Sequence, residues 1–256
     1  MYKKFIVCLL LMVTLCSSVL LNVYASNQVD WTDTATIMEL DRQLAQCPIN
    51  NAHIATREAE FQEFLREDNL RSPGRRSFYS RLINVPVFQQ EFGHWCGPAT
   101  AQQVIHFRNS SAPSQSALAT GIGTSSNGSD VHLVGREINR HTRTTYAGGN
   151  LSGNRNIWVD QIRFSIHRQQ PALISIRTTN IPAFPYNSEG HIVNVSGYDI
   201  GLALNDDLST YWVGAIRITD PFGPGLGNRW YDLHTLFNAH VTNRYPRPYM
   251  AGRASW

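Results

Sequence analysis

The stretch Gln90–Thr100 constrains the fold more than any other part of the chain. Within it, Cys96 is followed directly by Gly-Pro-Ala, and apolar residues then recur at helical spacing over residues 101–105. This pattern predicts a loop that enters a helix, with Cys96 at the helix N-terminus. The positive end of the helix dipole stabilises a thiolate there and lowers the pKa of the thiol. The alternative is a structural cysteine that only fills space in the core.

A glutamine precedes this cysteine at a chemically useful distance. Gln90 lies six residues before Cys96. A side-chain amide at that separation can fold back beside the sulfur and donate a hydrogen bond to an oxyanion. Cys96 and Gln90 are therefore candidates for a nucleophile and its oxyanion donor.

The first 25 residues are typical of a secretory signal peptide. Lys3 and Lys4 form a positive start, an apolar run spans Phe5–Leu21, and Val23–Tyr24–Ala25 ends in small residues at the cleavage positions. We expect cleavage after Ala25 and a secreted or cell-surface protein. The alternative is an uncleaved anchor, although the apolar run is slightly short for a membrane span and is interrupted by two serines.

Cysteine usage then limits the covalent chemistry. Removal of the signal takes away Cys8 and Cys16, which leaves Cys47 and Cys96. A disulfide between these two would disable the candidate nucleophile, so we expect free thiols. No Cys/His spacing matches a zinc site, and we predict that the protein uses neither a metal nor a cofactor.

Composition bounds the size and the partners. The 256 residues, of which 42% are hydrophobic and 16% charged, can form one sizeable packed domain with an appendage. The net charge of +3 falls to +1 without the signal peptide. The chain has no basic stripe with interleaved aromatic residues, which argues against nucleic acid as a partner.

The region between the signal and residue 80 differs in pattern from the rest of the chain. Ala35–Gln46 and Ala52–Arg66 both have the spacing of amphipathic helices, and the basic, turn-prone stretch Arg71–Arg76 comes after them. We therefore divide the chain into a signal peptide (1–25), a helical N-terminal segment (26–80) and a main domain (81–256). The helical segment is either a pro-segment or a part that packs on the domain or tethers it to the cell surface.

The main domain has the pattern of an α+β protein. We predict an extended run at Ile83–Phe88, and then three helices and three strands. The helices follow Cys96, Ser129 or Asp130, and Asn156, with a further short helix near Ala117; the strands are Ala172–Arg177, His191–Ile200 and Tyr211–Asp220. The expected architecture is a helix that carries Cys96 at its N-terminus, packed on an antiparallel sheet.

The last two strands bring a histidine and an aspartate together. A hairpin with its tip at Asn205–Asp206 places His191 directly opposite Asp220, with Cβ atoms about 4.5–5.5 Å apart. This register holds only if the hairpin has no bulge and no wider loop. Asp199 is a competing carboxylate, but it lies at the far end of the same strand as His191. A histidine beside a thiol serves as its base or counter-ion, and a carboxylate orients the ring.

These motifs together resemble a known family. The segments Gln90…Trp95–Cys96–Gly97–Pro98–Ala99, then Gly190–His191 through Gly197–Tyr198–Asp199, and then Asp220–Pro221 are similar to those of the papain-like cysteine peptidases, in the bacteriocin-processing-like branch that recognises double-glycine leaders. The resemblance covers Leu82 to Phe237 and implies a papain-like fold. By resemblance, Gln90 is the oxyanion glutamine, Cys96 the nucleophile, His191 the base and Asp220 the orienting residue.

The predicted function is hydrolysis of peptide or amide bonds by a Cys-His-Asp triad, in a stand-alone, exported member of that family. The partners implied are a peptide or protein substrate and the cell surface, with no metal and no nucleic acid. Two alternatives stay open. One is transglutaminase- or amidase-type acyl transfer on the same triad, and the other is a non-catalytic, wall-associated binding domain.

Overall fold

A computed structural model describes residues 48–71, 78–146, 148–150, 154–204, 210–223, 225–243 and 253–255. The described residues from Ala52 onward belong to one compact unit. The predicted signal peptide, the predicted helix Ala35–Gln46 and Cys47 lie outside the described residues. Among the helices of the described part, none has the length and apolar character needed to cross a membrane.

The described residues contain six helices and seven strands. In chain order they are α1 (Pro48–Arg71), β1 (Phe78–Leu82), α2 (Cys96–Asn109), α3 (Gln115–Ile122), α4 (Val131–His141), β2 (Gly148–Asn150), α5 (Arg155–His167), β3 (Ala172–Ile176), β4 (His191–Leu204), β5 (Thr210–Asp220), β6 (Gly227–Asp232), α6 (Leu233–Val241) and β7 (Arg253–Ser255).

The strands form one antiparallel sheet in the order β2-β7-β3-β4-β5-β6. The long strand β4 lies at its centre and contacts two strands along one side. Its first residues pair with β3, and residues 197–201 pair with β1. The helices pack around this sheet, so the predicted α+β class with an antiparallel sheet is confirmed.

The predicted hairpin register was wrong. The observed partners are Asn194 with Thr219 and Val195 with Ile218, two residues away from the predicted pairs. Ser196 is an extra residue on β4, and beyond it the shift grows to three. The predicted register assumed a tight turn and no bulge. In the structure the hairpin closes at the pair Leu204–Thr210, which leaves a wider loop, and a bulge interrupts the ladder.

Four of the five described helices of the main domain, α2 to α5, were predicted. Helix α2 begins at Cys96, and α4 begins after Asp130, whose carboxylate accepts a hydrogen bond from the His132 N–H. The extended run at Ile83–Phe88 is not a strand, however. The strand ends at Leu82, and the chain then runs as a loop through Pro86, which lacks the N–H that a ladder requires. Strands β2, β6 and β7 and helix α6 were not predicted, and β2 lies in a stretch, Tyr146–Asn156, that the sequence indicated to be a loop.

Helix α1 packs on the core through aromatic rings. Phe61 is buried, and its ring lies edge-on to that of Phe164 in α5, with 5.6 Å between the centroids. Phe64 makes a similar contact with Phe164 at 5.7 Å. The predicted helix Ala52–Arg66 lies within α1, so this part of the N-terminal region contributes side chains to the same core as the sheet.

A buried arginine joins α1 to the sheet. Arg163 in α5 forms salt bridges with Asp68 at 3.0 Å and Asp160 at 2.8 Å, which compensate the burial of its charge. Its guanidinium also lies 4.2 Å from the ring centroid of Tyr79 and 4.7 Å from that of Trp212. Trp212 is therefore a core residue.

We predict that Phe61→Ala lowers the free energy of unfolding by about 3 kcal/mol, because it removes a buried aromatic ring and leaves a cavity against Phe164. Phe78→Ala is the matched control, since Phe78 is 86% exposed. Urea denaturation followed by far-ultraviolet circular dichroism measures both. Equal stability of the two variants would show that α1 is not part of the folded core.

Candidate active site

Cys96 is the first residue of α2 and is only 8% exposed. His191 and the backbone N–H groups of Gly97 and Ile192 act on the thiol in the direction that favours its charged form. Burial alone would raise the pKa of the thiol. The hydrogen bond and the charge of His191, with the two N–H groups, outweigh it, and the pKa of Cys96 is lowered. The site therefore favours a thiolate.

His191 opens strand β4 and is 3% exposed. Its Nε2 lies 2.8 Å from Oδ1 of Asp220, which leaves Nδ1 as the nitrogen that faces Cys96. Burial opposes the charged ring, but the charge of Asp220 and its hydrogen bond prevail and raise the pKa of His191 to about 10. The ring therefore favours the imidazolium form, next to a carboxylate and to a thiol whose pKa is lowered.

Asp220 ends strand β5 and is almost completely buried. Oδ1 accepts a second hydrogen bond, from the Phe222 N–H at 2.8 Å, and Oδ2 accepts one from the Tyr186 hydroxyl at 2.6 Å. Burial would raise the pKa of this carboxyl. The charge and hydrogen bond of His191 and the donor groups of Tyr186 and Phe222 reverse that effect, so the pKa of Asp220 is lowered.

The observed register also allows the contact between His191 and Asp220. Extension of the observed pairing places His191 two residues along from Asp220, in a diagonal relation that long side chains span. Because side chains alternate between the faces of a sheet, a shift of two residues keeps both on the same face. A shift of one would have separated them.

Cys96 and His191 lie in the wall of an open cleft. The cleft has a volume of about 390 Å³. Its lining consists mostly of small and polar residues: Gly93, His94, Cys96, Ser126, Asn127, Gly128, Ser129, Ser175, Ser188, Glu189, Gly190, His191, Ile192 and Phe222. Neither Trp95 nor Trp212 belongs to this lining.

A buried polar network fixes α2 against β4. The Thr100 hydroxyl donates to the Ile192 carbonyl at 3.0 Å. The Asn194 amide donates to Oε1 of Gln103 at 2.8 Å and to the Thr100 carbonyl at 3.3 Å. Since Cys96 begins this helix and His191 begins this strand, the network sets the distance between the sulfur and the ring.

Gln90 holds the turn that leads to Cys96. Its amide Nε2 donates to the carbonyls of Phe92 at 3.0 Å and Gly93 at 2.9 Å. Both amide hydrogens are thereby used, and Gln90 is not among the cleft-lining residues. Its role as an oxyanion donor stays a prediction, and it requires release of the amide from one of these carbonyls.

Sequence reasoning missed three contributors to the site, namely Tyr186, Phe222 and the N–H of Ile192. Ile192 follows His191 directly and Phe222 lies two residues after Asp220, so their closeness in sequence to chosen residues was a usable signal. Tyr186 lies in the loop between β3 and β4, where no periodicity or motif marked it. The competing Asp199 is exposed and pairs with Ala215 toward the other end of β4. The described part of the chain contains no cluster of His, Cys, Asp and Glu that could hold a metal ion.

We predict that His191→Ala abolishes the reactivity of Cys96 at neutral pH. Without the imidazolium, burial dominates and the thiol pKa rises to or above its ordinary value of about 8.5. Iodoacetamide alkylation at pH 6.5, followed by mass spectrometry, should slow by about 100-fold or more.

This measurement uses residues 26–256 with Cys47→Ser, so that Cys96 is the only thiol. His94→Ala is the control, because His94 lines the cleft but is not bonded to the sulfur. A His191→Ala protein that reacts as fast as the parent would refute the thiolate–imidazolium pair.

The buried pair also predicts a pH-dependent stability. A histidine whose folded pKa is raised contributes stability below its unfolded pKa of about 6.5 and loses it as the pH rises toward 10. In a Cys96→Ala background, where no thiol titrates and Cys96 no longer adds to the raised pKa of His191, the free energy of unfolding should fall above a pH of about 6.5 by up to about 1.4 kcal/mol per pH unit.

Asp220→Asn should remove most of that slope, because it removes the charge that raises the pKa of His191. Asp199→Asn makes the same change at an exposed position of the same hairpin and should leave the slope in place. Urea denaturation at several pH values between 6 and 10 gives the comparison. Parallel slopes in all three proteins would contradict the assignment.

Comparison with known proteins shows to which family the chain belongs. No curated protein matches the chain. The model of the Peptidase_C39-like family matches residues 82–247, a range that contains Cys96, His191 and Asp220 and covers more than half of the chain. That family is papain-like, in agreement with the fold described above. The chain therefore belongs to the Peptidase_C39-like family.

Proposed function

We propose that this protein is a cysteine peptidase that hydrolyses peptide bonds through Cys96, His191 and Asp220. The observation that carries the proposal is the buried hydrogen bond between His191 and Asp220 beside Cys96, whose thiol pKa His191 lowers, at a cleft that Cys96 and His191 both line. Membership of the Peptidase_C39-like family supports the same reaction class. The proposed reaction requires neither a metal nor a cofactor.

The reaction would proceed in two halves. The thiolate attacks the carbonyl carbon of the scissile bond, and the imidazolium gives its proton to the departing amine as the C–N bond breaks. This step leaves a thioester on Cys96 and a neutral imidazole. His191 then takes a proton from water, the resulting hydroxide attacks the thioester, and the thiolate departs as the carboxylic acid is released. Asp220 keeps the ring aligned in both halves.

The oxyanion would be stabilised at the start of α2. The Cys96 backbone N–H belongs to the first turn of the helix, where N–H groups lack intrahelical acceptors, and the helix dipole adds to its effect. Gln90 would supply a second donor when its amide leaves the carbonyl of Phe92 or Gly93. Removal of such a donor costs about 100-fold or more in rate.

The cleft suits an extended peptide. Gly93, Gly128 and Gly190 line it, and glycines let a substrate main chain approach closely. We include in the proposal the finer assignment to leader-processing peptidases, whose test is cleavage of peptides with paired glycines before the scissile bond. Export by way of a signal peptide cleaved after Ala25 is likewise proposed from the sequence, and its test is N-terminal sequencing of the protein recovered from the culture medium.

We predict that a peptide library incubated with residues 26–256 is cleaved, and that Cys96→Ala abolishes cleavage while the unfolding curve stays close to that of the wild type. His191→Ala should lose as much activity as Cys96→Ala. Asp220→Asn should lose less, because an amide still holds the ring in place. Mass spectrometry of the products gives rates and cleavage sites together.

Each outcome of this experiment is informative. Full turnover by Cys96→Ala would refute the nucleophile assignment. Transfer of the acyl group to an added amine in preference to water would replace hydrolysis by acyl transfer. A wild-type protein that neither cleaves peptides nor reacts with a peptidyl epoxide at Cys96 would refute the peptidase proposal in favour of a binding domain.

A further inference from the structure

We propose that Tyr186 is a positioning residue, which fixes the Asp220 carboxylate in the orientation that His191 requires; this inference rests on the proposed function. Tyr186 is not one of the three residues Cys96, His191 and Asp220, and its hydroxyl donates to Asp220. Its effect on Cys96 would therefore pass through Asp220 and His191. Three features support this role: the donors to the carboxylate, the rings around it and the loop that carries Tyr186.

The hydrogen bonds of Asp220 divide between its two oxygens. Oδ1 serves both the His191 ring and the Phe222 N–H, each at 2.8 Å. Oδ2 accepts from the Tyr186 hydroxyl, at 2.6 Å. A carboxylate held through one oxygen can rotate about its Cβ–Cγ bond, whereas one held through both is fixed. The phenol thus restrains the angle at which Oδ1 meets the ring of His191.

The ring of Tyr186 also covers the pair. It stacks on Phe222, with centroids 4.1 Å apart and an angle of 8° between the planes. The two rings lie edge-on to His191, at 5.4 Å for Tyr186 and 5.7 Å for Phe222. Exclusion of water by these rings strengthens the bond between His191 and Asp220, because a low local dielectric strengthens charged hydrogen bonds.

The loop before β4 is built to hold Tyr186 in place. The buried Thr178 hydroxyl donates to the Tyr186 carbonyl at 2.9 Å and accepts from the Ser188 N–H at 2.8 Å. The Thr178 N–H in turn donates to the Ser188 carbonyl at 2.8 Å. Burial and the neighbouring Asp220 raise the pKa of Tyr186 far above its ordinary value, so the hydroxyl keeps its proton and remains a donor.

A nearby tyrosine provides a matched control. Tyr231 is buried in the same aromatic cluster, where it stacks on Phe184 at 4.3 Å. Its hydroxyl has no hydrogen-bond partner among the described residues. Tyr186→Phe and Tyr231→Phe therefore remove the same atom from the same cluster, but only the first removes a donor to Asp220.

The test measures the state of Cys96 without any substrate. In residues 26–256 with Cys47→Ser, the thiolate is followed by its ultraviolet absorbance, and its reactivity by the rate of iodoacetamide alkylation at pH 6.5. We expect Tyr186→Phe to lower the alkylation rate by about 10-fold, which is the size of effect expected from one hydrogen bond to a charged group. Tyr231→Phe should leave the rate at the parent value, with urea denaturation as the check on folding.

A double-mutant cycle separates positioning from a general structural effect. If Tyr186 acts through the carboxylate, Tyr186→Phe should have no further effect on the rate in an Asp220→Ala background. An unchanged or higher rate in Tyr186→Phe alone would overturn the inference, and so would an equal loss in the presence and absence of Asp220. A parent protein that reacts no faster than a free thiol would overturn the proposed function as well, so the two failures are distinguishable.

Discussion

The hydrogen bond between His191 and Asp220 is made between two side chains that are almost entirely removed from water. Burial of an ion pair costs several kcal/mol per charge unless the remaining hydrogen-bonding capacity is filled. Here it is filled, since Asp220 accepts from the ring, from the Phe222 N–H and from the Tyr186 hydroxyl. The surrounding fold therefore has to keep several elements in fixed relation, because the loss of any one donor leaves a buried charge incompletely compensated.

Two devices in the fold meet this requirement. The bulge at Ser196 and the wide loop of the β4–β5 hairpin bring His191 and Asp220 to the same end and face of the sheet. The Thr100 hydroxyl joins helix α2, which begins at Cys96, to the carbonyl of Ile192, the residue after His191. Both lie within the range matched by the family. Helix α1 lies outside that range and packs on the core through Phe61 and through the salt bridge of Asp68 with Arg163, and none of its residues lines the cleft.

Much of the local structure could be predicted from sequence because local rules dominate there. The helix at Cys96 follows from small residues and apolar periodicity, and the helix after Asp130 from its cap. The sequence placed an extended run after Leu82, whereas the strand spans Phe78–Leu82. Its residues alternate only between exposed and half-buried, so they do not show the pattern of a buried strand. Residues after Asp220 gave strand β6 and helix α6, for which no pattern had been identified.

The sequence by itself determined which chemistry is available: a cysteine at a helix start, a histidine at a strand start, an aspartate at a strand end, and the family to which these belong. Only the tertiary structure decided how they meet. The width of the β4–β5 loop and a one-residue bulge set the register of the hairpin, and neither can be recognised from a periodic pattern in the sequence. The same holds for Tyr186, whose contact with Asp220 spans 34 positions of sequence and depends on how a connecting loop folds back over the sheet.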